Sequence, residues 1–410
     1  MKSYPSFIVK HRRLLAFGAL LTLFSSFGQT FLISLFVPQL QATLDISAAE
    51  FGSFYSLATL ISAGLLPSLG RMIDDVGLRR YTLCVAGGLT LACLAMSVVR
   101  ESWHLLACLL VLRLTGQGLC GHTASTTMAR SFTLERGKAL SVSSLGYAVG
   151  EGLLPAVVVA AIALIGWRQV WVVQGLCVGL LLIPAIIGLL KRAPDAALHA
   201  RHAVSRDATA KNDEVEWTRA RVLRDPRFYL LLPTLLMLPA AVTGLIIHQA
   251  RLAEFKGWTL ATLAFAFTGF ALARIVSSLA IGPAIDRYGA ARLFPFFPLP
   301  MALGILFLQN LSSPAVAWIY LGLTGAAQGM AGGLTSSLWA ELYGVRHLGA
   351  IKSLGGSLAV FGTALSPALF GWLLDRGVGF TPILNGTMLA MIVSCGIAVG
   401  VCRRIKRSRP

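Results

Sequence analysis

Charge is what this chain has least of. Only 13% of its 410 residues are Asp, Glu, Lys or Arg, where a soluble domain carries roughly 25%. So few charges cannot cover a water-facing surface of this size, which argues against an ordinary soluble fold. Acid is scarcer still: 17 Asp and Glu stand against 35 Lys and Arg, for a formal net charge of +18. The seven cysteines, Cys84, Cys93, Cys108, Cys120, Cys177, Cys395 and Cys402, show no metal-ligand spacing. They lie in or beside apolar runs, where cysteine acts as a small packing residue. No HExxH or GxSxG motif is present, and no nucleotide-binding loop. The sequence therefore offers no support for an enzyme, an ATP-driven pump, a metal site or a cofactor.

What the chain has in excess is apolar residues, 56% of the total. They fall in twelve runs, near 14–37, 51–69, 81–99, 104–125, 139–165, 168–190, 228–250, 258–281, 293–311, 315–338, 349–374 and 381–402. Crossing a hydrocarbon core of about 30 Å takes about 20 residues. With no water to satisfy the backbone there, each run is expected to be helical. The expected fold class is all-α integral membrane, with lipid as solvent. The first run is too long for a signal-peptide core and lacks a small-residue cleavage site, so it is expected to be retained.

The basic residues cluster in the connections. With the N-terminus in the cytoplasm, 28 of the 35 Lys and Arg fall on that side and five on the other, while Arg113 and Arg274 lie inside runs. Such asymmetry is the positive-inside signal and places both termini in the cytoplasm. It also accounts for the net charge without nucleic acid as a partner. A polar stretch at 191–227 carries nine Lys or Arg and is expected to be a cytoplasmic linker, helical around Glu214–Val222. It separates 1–190 from 228–410, six runs each.

The halves repeat at an offset of 212 residues. GRMIDDVGLRR after run two corresponds to GPAIDRYGAAR after run eight. Gly70, Asp74, Gly77 and Arg80 match Gly282, Asp286, Gly289 and Arg292; Gly137, Gly150 and Pro155 match Gly349, Gly362 and Pro367. A shared offset over equivalent loops and runs indicates duplication, and six helices per repeat keep both halves in one orientation.

The pattern G-x-x-x-D-x-x-G-x-(R/K)-(R/K) resembles the signature of the major facilitator superfamily, and the second copy is similar to that family's weaker repeat. Within it, ELYGVRHLGAIKSL and GQTFLISLFVP look most like the bacterial oxalate/formate and monocarboxylate porters. The resemblance implies the major facilitator fold: two pseudo-symmetric six-helix bundles around a cavity open to each side in turn. It also implies a functional monomer in the bacterial inner membrane, with membrane lipid around it and a small-molecule substrate.

The repeated loops are the expected gates: Gly70, Asp74, Gly77, Arg79 and Arg80, then Gly282, Asp286, Gly289 and Arg292. Their glycines allow tight turns, and the carboxylate can meet a helix N-terminus or an arginine. The competing reading is that the basic residues only hold the loops in the cytoplasm.

Three ionisable residues lie inside runs, each costing roughly 2.5–3.5 kcal/mol to insert. Arg113, in RLTGQG, is similar to the family's helix-four arginine, which implies coupling; a structural pairing with Glu151 is the alternative. Glu151, in GYAVGEGLLP, is read either as a proton carrier or as a fixed partner of Arg113. Gly146 and Gly150 beside it form a close-packing face. Arg274 offers a planar two-pronged donor to a carboxylate, or it reaches back to the surface. The resemblance supports the first, since such porters carry an arginine in helix eight. Where the eukaryotic monocarboxylate carriers place an Asp, this chain has Phe270. Lys352 opens run eleven, which places it at the cytoplasmic end and argues against a dicarboxylate. Arg113, Gln29, Tyr147, His248 and Gln328 join Arg274 as the candidate substrate contacts, and His248 can titrate near neutral pH.

The expected function is secondary transport of a small organic anion, a monocarboxylate, coupled to protons or exchange. Efflux of drugs or metabolites on the same fold, or a sensor that transports nothing, are the alternatives.

Overall fold

The computed structural model describes residues 4–132, 135–191, 217–344 and 347–407. Twelve helical segments follow one another through these residues. The first is the bent pair Ser6–Gly28 and Thr30–Leu44. Ala48–Val76, Leu78–Met96, Ser102–Ser131, Arg136–Ile165 and Trp167–Leu190 come next. Pro226–Ile247, Leu260–Tyr288, Ala290–Asn310, Ala315–Tyr343, Leu348–Asp375 and Phe380–Arg407 are segments seven to twelve.

Among the described residues, nine helices are long and apolar enough to cross a membrane, and the bent pair makes a tenth. The other two fall short for different reasons. Segment three carries Arg79 and Arg80 in its first turn, and segment ten is rich in Gly, Ser and Thr. Of the expected linker, 192–216 lie outside the described residues; its end holds one short helix, Arg219–Val222.

The chain divides into two compact units. One is Met1–Gln39 with Leu57–Asp213; the other is Leu40–Ser56 with Glu214–Pro410. Residues 40–56 group with the second unit by their contacts, while the chain on either side of them groups with the first.

In the first unit, segments one and five meet backbone to backbone. A Cβ on Gly146 would lie 2.1 Å from Ala19 O, and one on Gly150 2.1 Å from Ser26 Oγ. Thr22 Oγ1 donates to Ser143 O at 2.6 Å across the same seam. This is the small-residue packing expected where lipid supplies no hydrophobic drive between helices. The second unit uses the same device between segments eight and ten. There, Cβ atoms on Gly325 and Gly329 would come within 2.1 Å of Phe270 O and within 2.3 Å of Arg274 O.

The repeat is visible in the backbone. Gly77 and Gly289 both precede a helix with positive φ, +85° and +82°, a region that glycine alone enters without steric cost.

Candidate functional site

In the first unit, Arg113 is only 4% exposed. It opens a π-helical stretch, Arg113–Cys120, within segment four. Opposite lies the break in segment one, where a 3₁₀ turn, Ser25–Gly28, gives way to extended Gln29. The two irregular stretches fit because both are glycine at the contact. A Cβ on Gly28 would lie 2.1 Å from Leu112 O, and one on Gly116 2.7 Å from Gly28 Cα. Irregular helix of this kind in a membrane fold is tolerated where it lines protein or a cavity, and it frequently marks function.

The guanidinium reaches both neighbouring segments. Its Nε donates to Thr59 Oγ1 at 3.1 Å and its Nη1 to Thr30 Oγ1 at 3.3 Å. Glu151 is buried on segment five, and Tyr147 sits half-buried one turn before it, with its hydroxyl over Gly121. Gln29 is half-buried at the break itself.

The loop motif of this unit acquires partners the sequence did not name. Asp74 forms an ion pair with Arg130 at the end of segment four. Gly70 faces His122, whose Nε2 would lie 3.0 Å from a Cβ there. Arg79 and Arg80 are exposed. In the second unit the copy is wired differently. Asp286 and Arg292 are exposed, and the carboxylate that meets the following helix is Glu341. It accepts from Ala290 N at 2.6 Å and from Ala291 N at 3.0 Å, capping segment nine. A Cβ on Gly282 would meet nothing within 4 Å.

The second unit also holds a cavity of about 250 Å³ between segments seven, nine, ten and eleven. Leu235, Leu238, Pro239 and Phe297 form its apolar wall. Its polar groups are Gln328, Thr335, Ser336, Trp339 and Lys352, and no Asp or Glu lines it. Trp339 is fully buried, and its Nε1 has no hydrogen-bond partner among the described residues. Segment ten owes its modest hydropathy to these cavity-lining positions.

Of the candidate substrate contacts, Gln328 lines this cavity. Arg274 does not; it is half-buried on segment eight, with its carbonyl against Gly329, the residue after Gln328. His248 is 2% exposed, and its Nε2 lies 3.0 Å from Pro367 O, away from the cavity lining. Lys352, set aside as a helix-end residue, lines the wall, so its position no longer argues against a substrate with two carboxylates. Its signal was present in the stretch ELYGVRHLGAIKSL, which also contains Glu341. Thr59, His122, Arg130 and Trp339 carried no comparable signal.

Residues 18–250 match the family model described as the Major Facilitator Superfamily. Over 359 residues the chain is 23% identical to an oxalate:formate antiporter of Oxalobacter formigenes, covering 83% of this chain and 81% of that protein. In architecture it resembles the nucleoside transporter NupG, with TM-score 0.71 at 11% identity, covering 97% of this chain and 98% of that one. It also resembles a bacterial homologue of the human lysosomal transporter Spinster, with TM-score 0.67 at 15% identity, covering 99% and 98%. The family match spans more than half of the residues, and both architectural matches span nearly all of them. The chain belongs to the Major Facilitator Superfamily and is a multi-pass membrane transporter of the secondary kind.

Proposed function

We propose that this transporter carries a small organic anion, a carboxylate, by alternating access coupled to protons or to exchange. One observation carries the reading: the cavity of the second unit is lined by an ammonium, an amide and two hydroxyls, with no acid among them. Such a donor set suits a carboxylate and repels nothing negative. The cavity is smaller than the roughly 300–1,000 Å³ of drug-sized sites, in keeping with a small solute. Likeness to a protein named for oxalate and formate supports the same class.

Arg274 is assigned to the substrate by its charge and its place inside segment eight, although it does not line this cavity. Arg113 and Glu151 serve coupling, and the loops at Gly70–Arg80 and Gly282–Arg292 gate the cycle. Residues 1–190 and 228–410 act as the two bundles of a functional monomer, joined by a cytoplasmic linker. Both termini face the cytoplasm of a bacterial inner membrane.

The test is uptake of labelled formate and oxalate by proteoliposomes. A hydrogen bond to a charged group contributes roughly 1.5–3 kcal/mol, so Lys352→Ala raises the KM about tenfold or more. Arg274→Ala abolishes uptake with expression intact. Uptake of a cationic drug with neither acid transported, or normal acid uptake in both variants, overturns the reading.

A further inference from the structure

The start of segment two is held by a residue far away in the sequence. A helix begins with backbone N–H groups that have no intrahelical acceptor. Here a local capping box deals with part of the set. Ser47 Oγ accepts from Glu50 N at 3.1 Å, and Glu50 Oε2 accepts from Ser47 N at 2.8 Å. That arrangement leaves the N–H groups of Ala48 and Ala49. Asp375, the last residue of segment eleven, takes both: Oδ1 from Ala48 N at 3.2 Å and Oδ2 from Ala49 N at 2.7 Å. Arg251 Nη1 stands 3.6 Å from Oδ1, so a cation backs the carboxylate.

Two glycines make this approach feasible. A Cβ on Gly371 would lie 2.3 Å from Ala48 O, and one on Gly52 2.4 Å from Pro367 O. Each helix of the contact therefore gives up a side chain so that backbone can touch backbone. Asp375 and Arg251 keep 25% and 41% of their side-chain surface in solvent. When the contact parts, water can satisfy both N–H groups and the carboxylate, so undocking leaves no buried polar group unpaired.

The docked stretch lies within Leu40–Ser56, which packs with the second unit, yet the chain on either side of it, at Gln39 and Leu57, belongs to the first. We infer that Asp375 is a gating residue: a carboxylate latch that holds the N-terminus of segment two on segment eleven and releases it once in every transport cycle. The inference rests on the alternating-access reading above. It differs from the repeated loop motifs in residues and in end of the helix, since those loops follow segments two and eight whereas this contact precedes segment two.

The experiment places a reporter under the latch in the full chain. Ala48 is fully buried when docked, so Ala48→Cys reacts with a soluble maleimide only when the stretch is released. A separate variant, Glu101→Cys, at the exposed start of segment four, provides the reference rate. Slow labelling of Ala48→Cys is expected with Asp375 intact, about tenfold faster labelling in Asp375→Ala, and an intermediate rate in Asp375→Asn, which keeps one acceptor. Glu101→Cys should label equally in all three backgrounds. Complete protection of Ala48→Cys in vesicles that take up formate or oxalate sinks the latch while transport stands. Equal rates with and without the Asp375 carboxylate sink it as well. Labelling that follows Asp375 in a protein carrying neither acid leaves the latch in place and overturns the substrate reading alone.

Discussion

A single methyl group on Gly28 tests whether the break in segment one and the π-helix of segment four form one fitted seam. The Cβ of Gly28→Ala would stand 2.1 Å from Leu112 O, 2.8 Å from Gly116 Cα and 2.9 Å from Gln117 N. All three are backbone atoms, so no rotamer change relieves the clash. An ordinary carbon–oxygen contact needs more than an extra ångström, and two packed helices must part to provide it. Overpacking of this kind costs about 1–3 kcal/mol, and more when backbone is what must move; we expect about 3 kcal/mol or more. Gly116→Ala meets Gly28 Cα at 2.7 Å and should cost a similar amount. Gly118 in the same π-helix is the control. Its added Cβ would touch only the side-chain tip of Leu66 at 3.1 Å within the clash range, and a helical Gly→Ala change recovers up to about 1 kcal/mol. Purified variants can be melted in detergent with a thiol-reactive dye, because Cys93, Cys108 and Cys120 of this unit are buried and free. Gly28→Ala and Gly116→Ala should melt several degrees below the parent, and Gly118→Ala close to it. Parting the seam also stretches the bond from Arg113 to Thr30, so uptake should fall in the first two. If Gly118→Ala melts as low as Gly116→Ala, or Gly28→Ala melts with the parent, the seam is not what these glycines serve.

The repeated glycines should respond differently to the same change. Gly70→Ala presses on the His122 ring and is expected to lose about 1 kcal/mol, whereas Gly282→Ala meets open space and gains up to about 1 kcal/mol of helix propensity; equal melting shifts would refute the assignment. Glu151→Gln is expected to keep substrate exchange while removing the response of uptake to a proton gradient. An unchanged response assigns Glu151 to packing and charge balance alone.

Much of the fold was legible because its causes are local. Scarce charge and long apolar runs select lipid as solvent, and lipid compels helix. The offset of 212 residues announced a duplication, and Gly77 and Gly289 express it with nearly equal positive φ. The Gly146–Gly150 face was readable because small residues four apart lie on one side of a helix. Segments one and four were not readable as broken, since irregular helix depends on what packs against it.

Partners were decided only by the tertiary structure. Helical periodicity shows which face of a segment is special but not which segment it will meet. Asp74 was recognised at once, yet its partner Arg130 lies 56 residues on. Lys352 was correctly placed near a helix end, and only packing made that end a cavity wall. Asp375 carries no signal in the sequence, because its two donors lie 327 and 326 residues away at Ala48 and Ala49. The sequence by itself determined a duplicated helical carrier. The folded chain determined which charges touch, because contacts between helices depend on close approach in space, which neither composition nor periodicity encodes.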